Sequence, residues 1–116
     1  MSDNDPYEAC AQRLKALADP ERLRIISALF GGAKNVGDLV AELQHDFVKV
    51  SHHLGVLRNA KLVTSVKRGR FVEYKLHDDV YAAVEKSDDP KYIDLGCCRL
   101  EIPTVLHPLP APKHRT

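Results

Sequence analysis

Residues 46–76 combine two features that few short chains can satisfy together: a helix apolar on one side only, and straight after it a hairpin crowded with positive charge. In Asp46 to Ala60, DFVKVSHHLGVLRNA, the residues Val50, Leu54 and Leu57 recur at i, i+4 and i+7 and share one helical face. Asp46 is placed to cap the first turn, where a carboxylate meets unpaired N–H groups and the positive end of the helix dipole. The opposite face carries Val48, Ser51, His52, Gly55 and Asn59, mostly small or polar, so it can lie close against another molecule. On periodicity alone, such a face is more often simply solvated.

The hairpin alters that balance. Leu62–Val66 and Phe71–Leu76 have the β-branched and aromatic content of strands, and Lys67-Arg68-Gly69-Arg70 lies between them. Gly69 supplies the positive φ that a tight hairpin turn demands, leaving three cations at an exposed tip. From His45 to Leu76 there are seven Lys or Arg and two acids, a net +5 within a chain whose total is +1. Charge segregated in this way is an electrostatic footprint for phosphate. A helix followed by a basic hairpin is the plan of a winged helix-turn-helix, in which the helix enters the major groove and the wing reaches the adjacent backbone.

The rest of the chain agrees with a mainly helical α+β fold. Asp5-Pro6 opens a first helix, Asp19-Pro20 breaks it and starts a second, and Gly31-Gly32 ends that one. A short third helix is expected over Val36 to Leu43, and a last one over Asp79 to Lys86, with His77 or Asp78 as its cap. At 116 residues, 44% of them hydrophobic, the chain suits one small core. Residues 1–90 read as the winged helix-turn-helix DNA-binding domain, and 91–116 as a C-terminal extension with Cys97-Cys98 and a Pro-rich end. There is no apolar run of about 18 residues and no signal-peptide pattern, and three cysteines do not make a disulfide framework. A reducing cytoplasm is the expected location. The chain lacks a Ser-His-Asp or Cys-His arrangement and a phosphate-binding glycine loop, which argues against an enzyme.

Three motifs in order carry a family resemblance. Leu17-Ala18-Asp19-Pro20-Glu21-Arg22-Leu23-Arg24-Ile25-Ile26 resembles the opening signature of the ArsR/SmtB family of bacterial winged-helix repressors. Val50-Ser51-His52-His53-Leu54 with Val56-Leu57-Arg58 resembles its recognition helix, and Gly69-Arg70 before Phe71-Val72-Glu73-Tyr74 its wing. The resemblance spans roughly residues 7 to 86. It implies a homodimer, built by the first and last helices, that occupies a double-stranded DNA operator and leaves it when an inducer binds. The DNA-facing set is then Lys49, Ser51, His52 and Asn59 from the helix and Lys67, Arg68 and Arg70 from the wing. His53 is expected to pack with a hydrogen bond, and Phe47 to join the core in preference to touching a thymine methyl. Phe47, His52 and Lys61 depart from residues common at those places in the family, which bears on the operator sequence and not on the mode of binding.

The inducer is the harder part. The metal sites usual in the family are missing: the expected last helix has no histidine, and Ala33 to Asp38 has no cysteine. The thiols stand elsewhere, at Cys10, Cys97 and Cys98. Three thiolates suit a soft three-coordinate ion such as arsenite, the favoured ligand; lead, cadmium and copper(I) are also thiophilic. Arg99 beside the pair would favour thiolate. His107 and His114 are candidate further donors, although histidines in such a Pro-rich tail are more often simply solvated. No obligatory cofactor is implied. Two readings stand beside this one: a thiol redox switch, and a winged-helix regulator or protein-interaction domain whose cysteines only pack.

Overall fold

A computed structural model describes residues 5–82 and 92–102. Helix α1 (Pro6–Leu17) starts at Asp5, whose Oδ1 accepts from the Tyr7 N–H at 2.9 Å. Helix α2 (Pro20–Leu29) starts at Asp19, which accepts from both Glu21 N and Arg22 N. Strand β1 (Lys34–Asn35) leads into α3 (Val36–Leu43), where Asn35 and Asp38 bond each other's backbone in a reciprocal cap. Gln44, in the left-handed region, turns the chain into α4 (Phe47–Asn59), capped by Asp46.

The wing follows as β2 (Val63–Arg68) and β3 (Phe71–Leu76), antiparallel, with β1 on the other side of β3. Pairing reaches Arg68↔Phe71, so only Gly69 and Arg70 form the turn, with Gly69 at φ +61°. Lys67 and Arg68 thus belong to the strand, two residues beyond the Val66 end expected from the sequence.

The largest departure follows the wing. The helix expected over Asp79–Lys86 is not formed at its start: Tyr81–Ala82 is a strand, β4, and residues 83–86 lie outside those described. Strand β4 pairs with β5 (Tyr92–Asp94), and β5 with β6 (Arg99–Glu101). An eight-residue helix is marginal on its own, whereas this pairing goes with full burial of Val80 and Ile93. His77 is accordingly not a helix cap; its Nδ1 accepts from the Asp79 N–H and closes a turn.

One hydrophobic cluster joins these parts. Cys10, Ile25, Ile26, Leu39, Leu54, Leu57, Leu62, Ile93 and Leu95 are all fully enclosed. Each buried aliphatic side chain stabilises the fold by about 1.5–3 kcal/mol relative to exposure. The apolar stripe of α4, Val50, Leu54 and Leu57, therefore anchors the recognition helix and turns its other side outward.

Candidate nucleic-acid interface and thiol site

Lys49, Ser51, His52 and Asn59 on α4, and Lys67, Arg68 and Arg70 on the wing, are all solvent-exposed. Of these cations, Arg68 has a carboxylate beside it: its Nε lies 3.3 Å from Glu73 Oε1, diagonally across the hairpin. Phe47 is corrected by the structure. Its side chain is 59% exposed, with Val48 beside it at 72%. Phe47 is the first residue of α4, ahead of the point where Val50 begins the buried stripe, so it projects past the core.

His53 is half-buried and held as expected. Arg22 Nη1 lies 3.1 Å from His53 Nδ1. A guanidinium can only donate, so Nδ1 accepts and the ring is neutral with its proton on Nε2. Burial holds the His53 pKa below its usual value, with Arg22 and His52 acting the same way against Asp19 and Glu21. Arg22 Nε also donates to the Ala16 carbonyl, so one side chain ties the end of α1 and the start of α2 to the recognition helix. Asp19 sits in the same network. Desolvation opposes its ionisation, but bonds from the Arg22 and Glu21 N–H groups and the nearby Arg22 charge outweigh it and lower its pKa.

The three cysteines meet within one chain. Cys10 is fully buried on α1, while Cys97 and Cys98 occupy the turn of the β5–β6 hairpin. Gly96, at φ +100°, makes that turn, and the Leu95 N–H donates to the Cys98 carbonyl at 2.8 Å. All three Sγ atoms lie within 4.8 Å of one another. Cys10 and Cys97 are paired as a disulfide, and Cys98 Sγ is 4.0 Å from Cys10 Sγ. Arg99 points away from this group: its guanidinium lies over the Tyr92 ring and its Nε is 3.8 Å from Asp94 Oδ2. His107 and His114 fall outside the described residues.

Sequence reasoning missed Arg13. Its Nη1 donates to the Leu95 carbonyl at 3.2 Å and its Nε to the Ala60 carbonyl at 3.4 Å. Its spacing from Cys10, one helical turn, was the only available signal.

Among the described residues, four helices and an antiparallel wing, with a cation-rich exposed face on the fourth helix and hairpin, make a winged helix-turn-helix. Comparison with known proteins agrees. Residues 19–65 match the model of the bacterial regulatory protein, arsR family. The arsenical resistance operon repressor of Staphylococcus xylosus is 32% identical over 92 residues, 78% of this chain and 88% of that one. NmtR, a transcriptional regulator of Mycobacterium tuberculosis, is 40% identical over 76 residues, which is 66% of this chain but only 63% of NmtR. Among solved structures, HlyU from Vibrio cholerae superposes with a TM-score of 0.60 at 32% identity, over 67% of this chain and 83% of HlyU. A homodimeric winged helix-turn-helix DNA-binding domain from Mycobacterium bovis gives 0.59 at 26%, over 66% and 72%. The chain belongs to the ArsR family of transcriptional regulators.

Proposed function

We propose that this chain is a homodimeric, cytoplasmic repressor that holds a double-stranded operator and releases it when arsenite binds Cys10, Cys97 and Cys98. The observation that carries this reading is the meeting of three cysteine sulfurs, from the two ends of the sequence, within 4.8 Å; reduction of the Cys10–Cys97 bond makes all three thiols. A trigonal, soft acceptor matches three sulfurs, and binding balances as three thiols plus arsenous acid giving a trithiolate and three waters. Support also comes from the name of the Staphylococcus xylosus relative, an arsenical resistance operon repressor. Lys49, Ser51, His52 and Asn59 would face the major groove, while Lys67, Arg68 and Arg70 would hold the backbone beside it. The homodimeric Mycobacterium bovis neighbour supports two such helices reading a palindrome, about 34 Å apart. Tyr7 and Leu14, exposed at 76% and 40% on one side of α1, offer apolar surface for that contact.

One observation favours a second reading, the pairing of Cys10 with Cys97. Two thiols and a peroxide would give the disulfide and water, and the operator would be released by oxidation.

A single experiment separates the two. The reduced protein, bound to a labelled fragment from upstream of its own coding sequence, is titrated with arsenite and, separately, with hydrogen peroxide, following anisotropy. Release by arsenite that Cys98→Ser abolishes supports the trithiolate. Release by peroxide that persists in Cys98→Ser but not in Cys10→Ser supports the switch. If neither reagent releases the wild type, both readings fail.

A further inference from the structure

Arg13 stands where the two candidate sites meet. It lies three residues after Cys10 on α1. Its guanidinium reaches in two directions, to the Leu95 carbonyl at the start of the thiol-bearing turn and to the Ala60 carbonyl at the end of α4. The guanidinium is also packed over that turn, since a Cβ on Gly96 would lie 3.9 Å from Arg13 Nη1. Ala60 is the C-cap of the recognition helix, where unpaired carbonyls carry partial negative charge and favour a cation. Three elements otherwise distant in sequence are thus joined by one planar, rigid group.

We propose that Arg13 is the positioning residue that couples the thiol site to the recognition helix. This rests on the trithiolate reading above. In the reduced protein, replacing the Cys10–Cys97 bond by three thiolates around one centre resets the hairpin turn relative to α1, and with it the Leu95 carbonyl. A guanidinium holds both acceptors in a fixed fork, so it cannot follow one and keep the other. The turn and the end of α4 therefore exchange one arrangement for another together. A ligand that prefers the new arrangement weakens DNA binding by its preference, and DNA weakens the ligand by the same factor.

The test measures three quantities on the full chain: affinity for the promoter fragment, affinity for arsenite from the ultraviolet absorption of the arsenic–thiolate bonds, and the ratio of DNA dissociation constants with and without arsenite. In the wild type that ratio is expected in the range of about 5–150 typical of allosteric coupling. Arg13→Met keeps the aliphatic stem and removes every donor. It is expected to leave each separate affinity within about threefold while the ratio falls to near 1. Arg13→Lys keeps the charge but lacks the fork, and should give an intermediate ratio; it also decides the matter if the Met variant melts early. A purely packing role would alter stability and leave the ratio intact. Wild-type coupling retained in both variants would overturn the proposal. Arsenite that binds without releasing wild-type DNA would overturn it and the trithiolate reading together.

Discussion

The charge on the wing makes a quantitative demand on salt dependence. Lys49, Lys67, Arg68 and Arg70 are all exposed, so the proposed homodimer would present eight such cations to its operator. Each phosphate neutralised contributes about −0.9 to the slope of log affinity against log salt. The whole set therefore gives about −7.2, and raising salt from about 50 to about 200 mM should weaken binding by roughly 2 × 10⁴. Arg70→Ala removes two charges per dimer, so the slope should ease to about −5.4 and the same salt step should cost roughly 2 × 10³. Glu73→Gln works the other way, because it frees Arg68 from a carboxylate 3.3 Å distant. It should tighten binding at low salt. Lys15, exposed on α1, serves as the control, and Lys15→Ala should leave the slope unchanged. Anisotropy titrations across a salt series measure all four proteins. A slope that does not change with Arg70→Ala, or changes equally with Lys15→Ala, would refute the assignment of the wing to the phosphate backbone.

Other consequences can be checked one by one. Asp19→Ala removes the cap that two N–H groups share and should lower the midpoint of urea denaturation; an unchanged midpoint would show those bonds to be replaced by water without penalty. His53 is held neutral below its ordinary pKa, so folding releases a proton from it. Its contribution is whole above about pH 6.5 and is lost as pH falls through the lowered value; His53→Gln should flatten the decline in stability between about pH 7.5 and 5.5, and an unaltered decline would exclude His53 as its source. The exposed Phe47 and Val48 are suited to thymine methyl groups. Replacing operator thymines by deoxyuridine should weaken the wild type and leave a Phe47→Ala/Val48→Ala variant indifferent, whereas equal losses would remove these residues from base reading. Gly55→Ala should stabilise by about 0.5–1 kcal/mol, since the added Cβ meets nothing within 4 Å; a lower melting temperature would contradict it.

The parts of the fold legible in the sequence are those set by neighbours in the chain. Asp-Pro pairs marked the starts of α1 and α2, apolar spacing marked α3 and α4, and Gly69 marked the wing turn. Strand β1 was not legible: two residues, Lys34 and Asn35, become a strand only because β3 lies beside them. Tyr81–Ala82 failed for the same reason, since its state depends on β5, about ten residues further on. Phe47 was misplaced because periodicity assigns a face and cannot say where the core ends. At the candidate site, residue type was enough to single out the cysteines and the basic wing. The reach of Arg13 and Arg22 was not legible, because each spans elements whose proximity only the tertiary fold establishes.

The thiol group has a further consequence for the lifetime of the protein. Cys10 and Cys97 are 87 residues apart, so any bond or shared ion between them closes most of the chain into a ring. In the chain-entropy account, a ring of that size restricts the unfolded ensemble by roughly 4–5 kcal/mol. An unfolded chain cannot hold three sulfurs around one centre without paying that restriction, so occupancy favours the folded molecule by mass action. An ion bound by the three sulfurs, as proposed above, would then also lengthen the survival of the regulator against heat and proteases. A cell recovering from exposure would keep its existing copies, ready to rebind DNA as soon as the thiols are cleared.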